Sequence, residues 1–155
     1  MWGNPIVTQH ISAQPSSRTD SWVRLLRYAR LWNLLGFGYW AVEERSTGKL
    51  AGDVGFADFH REMSPSIEGI PEAGWVLAPE FSGRGYATEA LRAALEWADV
   101  SLRTDRTACI IAPENAASIR VAEKVGYVET ARTTYRGDPT ILLMRKRIMN
   151  QEAVT

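Results

Sequence analysis

Pro79-Glu80-Phe81-Ser82-Gly83-Arg84-Gly85-Tyr86-Ala87-Thr88-Glu89 is the stretch from which the rest of the chain is read. A strand pattern, Glu72 to Leu77, stops at Pro79. Two glycines follow, and a helical pattern opens at about Gly85. The first turn of a helix carries unpaired backbone N–H groups and the positive end of the helix dipole, which suits a phosphate. Glycines at 83 and 85 remove side chains that would block close approach. Arg84 adds a mobile positive charge, and the Thr88 hydroxyl can donate one further bond. Taken alone, a Gly-x-Gly turn before a helix reads more readily as a structural cap than as a site. It matches neither common nucleotide fingerprint. The P-loop needs Lys-Ser/Thr after its last glycine, where this chain has Tyr86-Ala87. The dinucleotide turn needs a third glycine, where this chain has Thr88. The spacing therefore disfavours ATP, GTP and NAD.

Outward from the turn, the pattern predicts a mixed α/β layout around a central sheet. Downstream, Gly85 to Leu102 is a helix with a close-packing stripe of Ala87, Ala90, Leu91, Ala94, Leu95 and Ala98. Thr107 to Ala112 is a buried strand, and Asn115 to Val125 a second helix closed by Gly126. Tyr127 to Tyr135 and Thr140 to Arg147 are strands around an Arg136-Gly137-Asp138-Pro139 turn. Upstream, a helix begins near Ser16, capped by Ser17 or Thr19. It carries Trp22, Leu25, Leu26, Ala29 and Trp32 at helical spacing and ends at Gly36 and Gly38. Phe37 to Glu43 and Leu50 to Phe59 form a hairpin about Ser46-Thr47-Gly48-Lys49, and a loop runs from His60 to Pro71.

Bulk properties narrow the function classes. At 155 residues the chain suggests one domain with one core. Lys plus Arg equals Asp plus Glu at 18 each, which argues against charge-driven binding to nucleic acid or an anionic membrane. No apolar run reaches the ~20 residues of a membrane span. The polar segment from Met1 to Asp20 is unlike a signal peptide, and Cys109, the single cysteine, rules out an internal disulfide. A cytoplasmic location is the expectation. No His/Cys cluster has metal-ligand spacing, so no metal is expected. Cys109, inside a buried strand, is not expected to be a nucleophile.

A second cluster, Asn115-Ala116-Ala117-Ser118 with Lys124, Gly126 and Tyr127 downstream, reads locally as a helix cap and stop. A capping Asn at a cleft can also hydrogen-bond a ligand amide. Paired with the glycine turn, this cluster closely resembles the GNAT acetyltransferase superfamily, and best its RimJ/RimL-like branch, named for ribosomal-protein N-terminal acetyltransferases. The resemblance runs from about Asn4 to Arg147, within a single N-acetyltransferase domain spanning 1–155.

The resemblance implies a central, mostly antiparallel sheet flanked by helices, and acetyl-CoA as cosubstrate. Ser82, Gly83, Arg84, Gly85, Tyr86 and Ala87 fall on the family's pyrophosphate motif, with Ser82 in place of the usual Gln or Arg. The strand Trp75-Val76-Leu77 would pair with the pantetheine arm and offer an N–H to the thioester carbonyl, placing Val76 and Leu77 in the cofactor site. Asn115 would bind the pantetheine side. Many members carry a tyrosine acid where this chain has Ala122. Ser118 matches the serine that the Rim-type branch turns toward the sulfur, so thiolate stabilisation falls to Ser118, with Tyr127 a weaker candidate. For the base that deprotonates the amine the expectation is Glu72, with Asp53, Asp58 and His60 as alternatives; His10 has no visible partner.

The strand with which family members usually begin is expected to be missing. Either the start is internal to a longer gene, or the sheet tolerates the loss through contacts in a homodimer. The expected activity is direct transfer of acetyl from acetyl-CoA to a primary amine, on a protein N-terminus or a small molecule. The rival is an inactive acyl-CoA-binding sensor or interaction module.

Overall fold

The computed structural model describes residues 1–148. Helices α1 (Pro5–Thr8), α2 (Arg18–Leu35), α3 (Tyr86–Ser101) and α4 (Ala116–Lys124) accompany strands β1 (Tyr39–Glu43), β2 (Leu50–Ala57), β3 (Glu72–Leu77), β4 (Arg106–Ile111), β5 (Val128–Tyr135) and β6 (Asp138–Lys146). The strands form one sheet in the order β1-β2-β3-β4-β6-β5. Every pairing is antiparallel except β3 with β4. This is a mixed α/β architecture with a mostly antiparallel sheet, and β1 is an edge of that sheet.

Local chemistry explains most boundaries. Ser17, not Thr19, caps α2, in a reciprocal capping box with Asp20, and Gly36 ends that helix at φ 75°. The β5–β6 turn is tighter than expected: Arg136 and Gly137 make it alone, at φ 53° and 86°, and Pro139 lies inside β6. Pro139 pairs only with Thr134 of β5, because β4 joins β6 from Ile141 onward, so its missing N–H interrupts no ladder on that side. The short helix α1 and a single 3-10 turn at Pro79–Phe81 have no counterpart in the sequence expectation.

The main core lies between one face of the sheet and α3 with α4. Leu91, Ala94, Leu95 and Ala98 of α3 meet Val54, Phe56, Ala73 and Cys109 from the strands, with Ala122 of α4 beside them. Arg145 of β6, 6% exposed, makes a bidentate ion pair with Asp99 of α3 at 2.8 and 2.7 Å and donates to the Val125 carbonyl at the end of α4.

Helix α2 departs from expectation. Trp22, Leu25 and Leu26 are more than half exposed. The helix meets the sheet through Trp32, the last residue of the expected stripe, and through Tyr28, which lies outside it. Tyr28 stacks on Tyr39 with centroids 4.5 Å apart, and Trp32 packs edge-on against Trp40 and Trp97. The cause is Asp53, a buried carboxylate on that face of the sheet, which needs donors. Tyr28 supplies one at 3.4 Å and Trp2 another at 3.1 Å.

Candidate active site

Strands β3 and β4 run parallel but pair only at Glu72 and Ala108, with one further bond from the Ala108 N–H to the Pro71 carbonyl. Beyond that point they diverge, leaving an opening toward their carboxyl ends, where open α/β sheets bind ligands. The Ala78 N–H bonds back to Ala51 on β2. Because backbone groups alternate along a strand, Val76 and Gly74 also turn toward β2, and Trp75 and Leu77 toward the opening. The backbone groups available there are therefore those of Trp75 and Leu77, whereas those of Val76 are used in the β2 ladder; the expected place of Val76 in the cofactor site is corrected to that extent.

The glycine turn sits at the mouth of this opening. Gly83 and Gly85 adopt φ 73° and 82°, and an added Cβ at either would meet nothing within 4 Å among the described residues. The turn thus requires glycine for its left-handed backbone, not to relieve a clash within the protein. The Ser82 N–H is spent on Pro79, but the amides of Gly83 through Thr88 donate to no acceptor among the described residues. Arg84 is less mobile than expected. It donates to Glu44 at 3.1 Å and to the Tyr86 hydroxyl, which in turn donates to Glu44 at 2.6 Å. Bonds from Thr47 and Tyr86, with Arg84 nearby, hold the Glu44 carboxyl below its ordinary range.

Replacing Gly85 by Ala puts a Cβ into a left-handed backbone at a cost of about 1–2 kcal/mol. Acetyl-CoA Kd is expected to rise by roughly tenfold on titration.

Across the opening, Asn115 caps α4 through its Oδ1, which accepts from the Ser118 N–H at 3.1 Å, leaving its Nδ2 without a partner among the described residues. The Ser118 hydroxyl is half-buried and also has none. Ala122 is wholly buried in the core, so no side-chain acid acts from that position. Tyr127 is buried, with its hydroxyl on Thr107 at 2.7 Å, a packing role. Burial also pushes the Cys109 thiol far up, away from thiolate chemistry.

The sheet face away from α3 forms a lane in which Tyr39, Gly55 and Gly74 lie in register on three successive strands. The Tyr39 ring reaches Gly74, where its hydroxyl occupies the space that a side chain would need; that hydroxyl has no hydrogen-bond partner among the described residues. Burial raises the Tyr39 phenol well above its ordinary value, so it remains a neutral donor. Sequence reading missed this residue, although glycines inside two strand patterns signal a close approach.

Asp53 lies beside the lane, and burial pushes its carboxyl up to about 6 despite the bonds from Trp2 and Tyr28. Glu72, the expected base, stands at the start of β3. It is buried, and Arg61 takes both its oxygens, at 2.7 and 2.8 Å. Asp58 and His60 belong to the loop beyond β2. Asp58 accepts the N–H groups of His60 and Gly69, and His60 faces Glu68 in solvent. Among the described residues no cluster of three or more His, Cys, Asp or Glu is placed to hold a metal, and no helix is long and apolar enough to cross a membrane.

Residues 1–128 match the family model described as the acetyltransferase (GNAT) domain. The chain belongs to the GNAT acetyltransferases. Its relatives include the uncharacterized protein YkkB of Bacillus subtilis, 31% identical over 134 residues, a match spanning 82% of this chain and 72% of the relative. A Bordetella pertussis protein classed with the GNAT-family acetyltransferases superposes with a TM-score of 0.80 at 29% identity, covering 90% of this chain and 85% of its own. Spermidine N-acetyltransferase of Vibrio cholerae, solved with CoA and spermine, shares the fold at a TM-score of 0.70 and 19% identity, covering 94% and 85%. This GNAT enzyme is accordingly an N-acetyltransferase.

Proposed function

We propose that the chain transfers acetyl from acetyl-CoA directly to a primary amine, on a protein N-terminus or a small molecule, and that it falls in the RimJ/RimL-like branch. The observation that carries this is the opening between β3 and β4, with six unpaired amides, from Gly83 to Thr88, at its mouth. Those amides suit a pyrophosphate. The Trp75 and Leu77 backbone, facing an unpaired edge, suits an amide-bearing arm, and the free Nδ2 of Asn115 suits one of its carbonyls.

Acetyl-CoA supplies an activated thioester; the amine attacks its carbonyl, a C–N bond forms and the C–S bond breaks. The chain's residues do the rest. Ser118 donates toward the departing sulfur, directly or through water. Asp53 takes the amine proton, in place of Glu72. A carboxylate near 6 is largely ionised at pH 7.5 yet basic enough to act, and an α-amino group near ~8 needs only modest help. Cys109 is buried and plays no part, so no acyl-enzyme forms.

The test is steady-state release of free thiol from acetyl-CoA across a panel of amines. Turnover with at least one amine is expected, and Ser118→Ala should lower kcat by about tenfold or more. Tight cofactor binding without turnover on any amine would instead favour an acyl-CoA-binding module. An unchanged kcat in Ser118→Ala would remove that residue from the chemistry.

A further inference from the structure

Five side chains form a ladder along the acceptor side of the sheet. The Arg27 guanidinium lies 5.5 Å from the Phe59 ring. Arg61 is sandwiched between Phe59 at 4.8 Å and Tyr135 at 4.9 Å. Arg136 continues the row 5.4 Å from Tyr135. The ladder thus alternates arginine and aromatic ring from helix α2, past the end of β2, to the β5–β6 turn.

Its position follows from the topology. The pyrophosphate turn lies beyond the carboxyl end of β3, and the opening closes at Glu72. An extended arm entering from the turn therefore delivers its reactive end toward that closure. Glu72 is the residue that anchors Arg61. An amine meeting the thioester over the Tyr39 lane has the rest of its molecule directed toward the ladder.

Charge decides what that remainder is. Arg61 is neutralised by Glu72, but Arg27 and Arg136, both exposed, form no ion pair among the described residues. A guanidinium lying on an aromatic face keeps its N–H edge free, in the plane that grips an oxyanion with two parallel bonds. On the same side Glu72 is already held by Arg61.

Arg136 carries a second sign. It sits at φ 53° in a two-residue hairpin turn, a position that Asn or Gly would fill with less strain. The turn places its guanidinium at the end of the ladder.

We infer that the ladder selects an acceptor whose amine is accompanied by an oxyanion, a carboxylate or a phosphate, held by the guanidinium at one of its two ends, Arg27 or Arg136. This deepens the acetyl-transfer reading and rests on it. The experiment compares matched acceptors by thiol release with acetyl-CoA: alanyl-glutamate amide against alanyl-glutamine amide, alanyl-phosphoserine amide against alanyl-serine amide, and spermidine. The anionic member of at least one pair should have a kcat/KM about tenfold higher or more, and the better pair tells carboxylate from phosphate. In the double variant Arg27→Gln/Arg136→Asn that ratio should fall to near one; Asn suits the turn, and an acetyl-CoA titration reports that the variant is folded. Neutral acceptors or spermidine performing as well as the anionic ones, or a preference that survives in the double variant, would overturn the proposal. Calorimetric binding of the same peptides reads the preference independently of turnover. A preference in binding without thiol release would therefore sink the transfer reading and keep the oxyanion site.

Discussion

Replacing Asp53 by Asn is expected to lower kcat/KM at pH 8 by about 100-fold or more, the usual loss when a general base is removed. In the parent enzyme kcat/KM should rise through about pH 6 and level off above it, because Asp53 accepts a proton only when ionised. The Asn variant should show no such limb. Stability should move the other way. Burial raises the folded-state pKa of Asp53 from 3.8 to about 6, so folding favours the protonated form. That stabilisation is complete below about pH 4 and is lost as pH rises through 6. Two units correspond to roughly 3 kcal/mol. Between pH 4 and pH 8 the unfolding free energy of the parent should therefore fall relative to Asp53→Asn by about 2–3 kcal/mol, measured by urea titration at each pH. A pH-independent difference would contradict the desolvated carboxylate, and an unaltered pH–rate profile would remove Asp53 as the base.

Arg145→Met is expected to destabilise the protein by about 3–5 kcal/mol, the cost of breaking a buried ion pair from one side. The substitution leaves Asp99 of α3 facing the core without its guanidinium and the Val125 carbonyl without its donor. Tm should drop by roughly 10 °C. Adding Asp99→Asn to Arg145→Met should restore part of the loss, because no unpaired charge then remains. A double variant no more stable than Arg145→Met would show that the pair is not what joins β6 to α3.

Both predictions concern side chains whose roles the sequence left open. The two helices flanking β4, their caps and stops, and the three strands of the first half were readable because periodicity, glycine and proline act locally. The stripe on α2 misled. Trp22, Leu25 and Leu26 repeat at helical spacing, but Asp53, distant in sequence, draws the Tyr28 side of the helix onto the sheet. Glu72 was read as a base from its place at a strand start, and its partner, Arg61, comes from a loop whose path no local pattern specifies.

The sequence by itself determined the mixed α/β layout and the phosphate-suited turn at Ser82–Ala87, because each depends on neighbours within a few residues; the pairing of that turn with Asn115 and Ser118 rested on the family resemblance. Only the tertiary structure decided which groups of β3 face the opening, that Arg61 takes both oxygens of Glu72, and that Arg27, Arg61 and Arg136 stand in one row. Those outcomes depend on strand order, on the point where β3 and β4 part, and on burial. All three arise from contacts between segments far apart in the chain, where solvent is excluded and the energy of a charge is set by what lies across the gap.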